Sequence, residues 1–155
     1  NCLVGSEMCI RDSFQTDFYD FKSKKKFDLV LIDVPCSSTG TIRKNKEIQY
    51  LDPFKRLKNL LKIQEDSLNV AKTFVKDKGY ILYCNCSLFF SEGEDKIRNF
   101  IKENSNWTFE KFVKENKDIE KEWIDKSGFL RLRPDHLYNE GGMDGFFAAL
   151  LKKIN

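Results

Sequence analysis

An α/β fold, half of a doubly wound domain with a mostly parallel sheet and antiparallel final strands, follows from three features of this chain. Two short apolar runs lie about fifty residues apart, a helical pattern fills the space between them, and shorter alternating runs close the sequence. The first run, Phe27-Asp28-Leu29-Val30-Leu31-Ile32-Asp33-Val34, is rich in branched residues and is stopped by Pro35, so it predicts a strand buried on both faces. The second, Tyr80-Ile81-Leu82-Tyr83-Cys84, predicts another.

Between them, Asp52 and Pro53 have the character of an N-cap and first helical residue, followed near a 3.6-residue period by Leu57, Leu60, Leu61, Leu68, Ala71, Phe74 and Val75. Gly79 is the expected stop. Strand, helix and strand together suit a parallel crossover. Ser91-Glu92-Gly93-Glu94 then fits a capping box, and Ile97, Phe100 and Ile101 give the following helix an apolar side that should end near Asn104. Trp107 to Val113 and Phe129 to Arg133 alternate as strands, with a polar loop from Lys114 to Lys126 between them. Gly141 to Gly145 predicts a turn before a last strand, Phe146 to Leu151.

The 155 residues suffice for one domain with a real core. A hydrophobic share of 41%, with 14 Phe, argues against disorder, and no apolar run approaches the roughly 20 residues that span a bilayer. Twenty-seven basic residues against 24 acidic ones leave a net charge of +3, which permits RNA as a partner without demanding it. Five irregularly spaced cysteines (Cys2, Cys9, Cys36, Cys84 and Cys86) do not form a secreted disulfide framework, and a reducing cytoplasm is expected. Residues 1–12 fit nothing that follows and are read as a leader foreign to the fold, leaving 13–155 as the folded part.

Chemistry concentrates at the carboxyl ends of the two strands, where open α/β sheets bind ligands. One carries Asp33-Val34-Pro35-Cys36, the other Cys84-Asn85-Cys86-Ser87. Two thiols delivered to one edge suggest paired sulfur chemistry on an electrophilic ring carbon. Asp33-Val34-Pro35-Cys36 ending a strand resembles the base-holding turn of S-adenosylmethionine methyltransferases, with a cysteine that favours carbon methylation; cytosine C5 is a poor nucleophile, and a thiolate that adds to C6 makes C5 reactive toward a sulfonium methyl group. Asp33 is placed to hold N3 and the amino group meanwhile, with burial expected to keep it protonated. A second sulfur could assist loss of the C5 proton and elimination. Arg43 and Lys44, just past this turn, are candidates for phosphate contacts.

Asp33-Val34-Pro35-Cys36-Ser37-Ser38-Thr39-Gly40 with Ile42-Arg43-Lys44, then Cys86-Ser87, then Gly141-Gly142-Met143-Asp144-Gly145-Phe146-Phe147, resemble the Sun family of RNA cytosine-C5 methyltransferases, closest to the bacterial small-subunit ribosomal RNA enzymes. The resemblance covers nearly everything from about Asp17 onward. It implies an incomplete Rossmann-like, class I S-adenosylmethionine-dependent methyltransferase domain, the carboxyl-terminal part of a longer enzyme. It also implies that Cys86 attacks C6 and that Cys36 aids product release. Asp17 is expected beside the cofactor adenine, Asp33 and Pro35 near the cofactor, and Ser37 and Gly145 at the RNA. The glycine-rich loop for the methionine half of S-adenosyl-L-methionine should precede Asp17, so the chain by itself is expected to be inactive.

Three departures from the family pattern stand out: Asn85 replaces a Thr, Ser38 a Gly, and Lys46 a frequent Pro. A noncatalytic RNA-binding remnant is the competing reading, and a thiol redox protein a third. Neither a zinc site nor a membrane segment is expected, because the only histidine is His136 and Cys-x-x-Cys spacing is absent. His136 is read as structural. Cys84 is read as packing, on the same face as Cys86 but deeper.

Overall fold

The computed structural model describes residues 15–112 and 119–154. Residues 1–12, expected to be a leader foreign to the fold, lie outside them, as does Val113 at the end of the expected third strand. The elements run β1 (Phe27–Asp33), α1 (Pro53–Ala71), β2 (Val75–Asn85), α2 (Glu94–Glu103), β3 (Trp107–Glu110), β4 (Leu130–Leu132) and β5 (Phe146–Lys153), with short 3-10 turns between. One mixed sheet forms in the order β1-β2-β5-β3, with β4 also paired to β5. β1 and β2 are parallel, and β5 runs antiparallel to β2, β3 and β4, as expected for the first and final strands. β3 meets the end of β5 and β4 its start, so the two short strands share one edge of it.

The core lies between the sheet and the two helices. Ile32, Ile81, Tyr83, Phe147, Ala149 and Leu151 project from the strands onto Leu68 and Ala71 of α1 and Ile97 and Phe100 of α2. Leu60, Gln64, Leu68 and Ala71 recur at helical spacing and are the buried stripe of α1. Asp52 caps this helix, its Oδ1 accepting from the Phe54 and Lys55 amides at 3.0 and 3.3 Å, as its sequence suggests.

Three expectations are corrected. β1 is not buried on both faces: Leu29 is 52% and Leu31 60% exposed, because β1 is a sheet edge and the helices cover only the face that carries Ile32. Gly79 does not stop α1, which ends at Ala71 through a 3-10 turn at Lys72–Phe74. It sits instead inside β2, where the register against β1 slips and Lys78 takes a positive φ. A Cβ on Gly79 would come within 2.9 Å of the Asp28 carbonyl oxygen. Finally, Ser91 to Glu94 form no capping box. Gly93 is the N-cap of α2, without a side-chain cap, while Glu92 and Glu94 turn into the protein.

Candidate active site

Adjacent parallel strands bring the two cysteine loops together. Asp33 at the end of β1 pairs with Cys84 of β2, so Cys36 and Cys86 leave the sheet side by side, with their Sγ atoms 3.4 Å apart. Both are partly buried. Burial pushes the Cys36 thiol up to about 12, so it keeps its proton at neutral pH. Cys84, one turn of the pleat deeper, is buried, and burial with the nearby Asp33 charge raises it to about 11, consistent with a packing residue.

Backbone contacts lock the loops. The Gly40 amide donates to the Cys86 carbonyl at 2.8 Å, the Gly145 amide donates to the Gly40 carbonyl at 2.7 Å, and the Leu88 amide donates to Thr39 Oγ1 at 2.9 Å. No side chain fits at this junction. A Cβ on Gly40 would lie 2.4 Å from the Gly145 carbonyl oxygen, and one on Gly145 2.5 Å from Leu88 Cδ2. Gly145, expected at the RNA, is thus also the residue that closes the last turn onto the first cysteine loop. Ser38 has φ 57°, in the left-handed region, which is the backbone reason a glycine is usual there.

Beneath the sulfurs lies a carboxylate that motif reading passed over. Glu92 has no exposed surface and accepts from the Ser37 amide (2.9 Å), Ser37 Oγ (2.5 Å), Ser87 Oγ (2.5 Å) and Gln64 Nε2 (2.9 Å). Its carbonyl oxygen accepts from Tyr83 Oη and Asn85 Nδ2, both at 2.8 Å. Asn85, the departure beside Cys86, also takes the Ser87 amide on its Oδ1 at 2.9 Å, so it orders the cysteine loop through two bonds. Glu94 pairs with Arg131 at 2.5 Å, and Arg131 Nη1 donates to the Ser87 carbonyl at 2.6 Å. Two acids before an apolar helical stripe were the available signal, but sequence does not reveal which way they point.

Two cavities lie near the carboxyl end of β1; Cys36 lines the second of them, and Cys86 lines neither. One, of about 350 Å³, is lined by Asp17, Phe18, Tyr19, Asp33, Val34 and Pro35, among others, which gathers the three expected cofactor residues around one space. Phe18, Tyr19, Val34 and Pro35 with the Asp17 and Asp33 carboxylates fit a flat, amine-bearing ring such as the adenine that the resemblance implies. Asp17 is exposed and takes the Tyr19 amide on its Oδ1 at 2.8 Å. Asp33 is exposed as well, so the expected burial of its carboxyl is corrected: it stands at the open end of an edge strand. The second cavity, of about 310 Å³, is lined by Cys36, Ser37, Ser38, Glu47, Asp52 and Arg56, among others.

Arg43 and Lys44 are exposed but not idle. Lys44 Nζ lies 2.7 Å and Arg43 Nε 3.5 Å from the Asp144 carboxylate, and Arg43 Nη1 donates to the Gly141 carbonyl at 3.2 Å. Lys44 first and Arg43 second hold the Asp144 carboxyl below the usual carboxylate range. Lys46 is exposed in the following 3-10 turn. His136 is buried and its Nδ1 accepts from the Arg133 amide at 3.3 Å. Among the described residues there is no group of three or more His, Cys, Asp and Glu arranged to hold a metal ion, and no helix long and apolar enough to cross a membrane.

Comparison with known proteins places the chain in a family. The family model described as 16S rRNA methyltransferase RsmB/F matches residues 4–152. A probable ribosomal RNA small subunit methyltransferase B from Synechocystis is 32% identical over 126 residues, covering 81% of this chain and 27% of that protein. The ribosomal RNA small subunit methyltransferase B of Pasteurella multocida is 29% identical, covering 86% and 27%. The chain therefore spans about a quarter of the length of these relatives. Among solved structures, PH0851 superposes with a TM-score of 0.66 at 31% identity, over 81% of this chain and 26% of its own. NSun6 from Pyrococcus horikoshii, solved with SFG, superposes at 0.68 over 92% and 34%; at 20% identity it speaks for the fold alone. With the match running through both cysteine loops and nearly the whole chain, this protein belongs to the RsmB/F family of 16S rRNA methyltransferases.

Proposed function

We propose that the protein carrying this chain transfers a methyl group from S-adenosyl-L-methionine to C5 of a cytosine in small-subunit ribosomal RNA, through a covalent bond between Cys86 and C6. The observation that carries the reading is the pair of sulfurs 3.4 Å apart at the ends of neighbouring strands, one of them held protonated. A thiolate is the nucleophile in such chemistry, which argues against the raised Cys36 thiol, and the family resemblance gives the role to Cys86. When bound, the cofactor supplies an electrophilic methyl group; Asp17, Asp33 and Pro35 would hold it in the cavity they line.

The steps assigned to the chain balance. The Cys86 thiolate would bond to C6, the C5–C6 π pair would move to C5, and C5 would bond the methyl carbon as the sulfonium–methyl bond broke, its electron pair staying on the sulfur of the departing S-adenosyl-L-homocysteine. Loss of the C5 proton to solvent then re-forms the double bond, the C6–S bond breaks, and its electron pair returns to Cys86. The Cys36 S–H is within reach of that departing sulfur and stabilises it by donation. Asp33 oxygens at the strand end accept from the exocyclic amine of the base, and Ser37, Arg43, Lys44 and Gly145 border the RNA path. The base must leave its stack for C6 to be reached.

The test uses the full-length gene product with small-subunit ribosomal RNA and labelled cofactor. Wild type should form 5-methylcytidine, Cys86→Ala should lose at least about 10³-fold in rate, and Cys36→Ala should accumulate a covalent RNA–protein adduct seen on denaturing gels. An active Cys86→Ala enzyme would sink the assignment, whereas RNA binding without cofactor binding or methylation would mark a noncatalytic remnant. The 155 residues by themselves contain no glycine-rich loop for the methionine half of the cofactor and are proposed to show little or no transfer.

A further inference from the structure

We propose that Glu92 is a positioning residue that sets the distance between the two sulfurs. Each cysteine is followed directly by a serine, and both serines donate to the same Glu92 oxygen: Ser37 Oγ and Ser87 Oγ each lie 2.5 Å from Oε2. The other oxygen takes the Ser37 amide and Gln64 Nε2, both at 2.9 Å, and Gln64 also donates to the Pro35 carbonyl at 3.0 Å. One carboxylate thus ties the residue after Cys36, the residue after Cys86 and helix α1. Its own backbone is fixed from β2 through Tyr83 and Asn85.

The physical argument rests on charge and burial. Hydroxyls donating to a carboxylate form short bonds, roughly twice as strong as neutral ones, and the absence of exposed surface on Glu92 keeps water from competing. Neither sulfur touches Glu92 in the structure's hydrogen bonds, so it acts through the serines. During the proposed reaction Cys86 must swing onto C6 and return beside the Cys36 S–H, and a shared anchor one residue behind each sulfur holds both loops to that geometry. The inference rests on the roles proposed above for Cys36 and Cys86, but its first readout does not.

That readout is capture of phenylarsine oxide, which bridges two neighbouring thiols, by the 155-residue chain, with Cys36→Ser as the control that removes the pair. Glu92→Gln preserves shape but places an amide donor against the serine hydroxyls. It should keep the circular dichroism spectrum while losing at least tenfold in arsenical affinity. In the full-length gene product the same variant should lower kcat at least tenfold, with KM for RNA within twofold. If Glu92→Gln does not fold, Ser87→Ala, which removes one arm, should show the same losses at threefold or more. Unchanged arsenical capture and unchanged kcat in folded variants would overturn the inference, as would a wild-type chain that does not capture the arsenical. Arsenical affinity that responds to Glu92 in a protein without methyl transfer would sink the proposed function and leave the positioning role standing.

Discussion

Burial sets Cys36 apart from an ordinary thiol, which its place in the sequence does not show. Only a thiolate reacts readily with an alkylating reagent, and a thiol near 12 is ionised to roughly one part in 10⁴ at pH 8. Cys84, near 11 and buried, is also protected. Iodoacetamide at pH 8 should therefore label Cys36 and Cys84 at least tenfold more slowly in the folded chain than in urea, as read by peptide mapping; equal labelling in both would contradict their assigned burial. At this scale the sequence motifs singled out Cys36 and Cys86. They did not show that Asp33 stays exposed or that Glu92 is buried, because both facts depend on which neighbours the sheet brings.

At the scale of elements, the turn after Cys36 and the glycine turn before β5 are clasped by Lys44 and Arg43 on Asp144. An RNA phosphate at these cations would have to compete with that carboxylate. Arg43→Ala and Lys44→Ala should each weaken RNA binding and flatten the slope of log affinity against log salt by about 0.7–0.9 if a phosphate contact is lost. Asp144→Asn should strengthen binding. A filter-binding titration between low and moderate salt checks both, and an unchanged slope in the lysine variant would remove Lys44 from the RNA path. The elements themselves were largely legible: Asp52 and Pro53 mark the start of α1 and Asn104 the end of α2. The boundary at Gly79 was misread because a glycine suits a bulge as well as a helix stop, and only pairing with β1 decides between them.

Across the described residues, Cys36, Cys84 and Tyr83 are kept neutral by burial, all raised above their ordinary values. In the unfolded chain the thiols release protons near pH 9 and the phenol near 10, while the folded chain holds them longer. A raised folded value adds stability that is fully present below the unfolded one and is lost as pH rises through the folded one, here between about pH 9 and 12. The urea midpoint should accordingly be flat around neutrality and fall steadily above pH 9, and Cys84→Ala should shallow that fall. A midpoint that rises across this range would contradict the assigned burial.

Periodicity and punctuation in the chain were enough to determine that strand, helix and strand follow one another, that two cysteines leave the sheet at the same edge, and which family their motifs resemble, since each is a matter of local order along the backbone. Only the tertiary structure decided that β1 is open on one face, that Glu92 sits beneath both sulfurs, and that Asp144 holds the two cations of the first loop. The Glu92 contacts to Ser37 and Gln64 and the Asp144 ion pairs join residues 28 to 101 positions apart, and the burial and charge they create arise only when the sheet has closed.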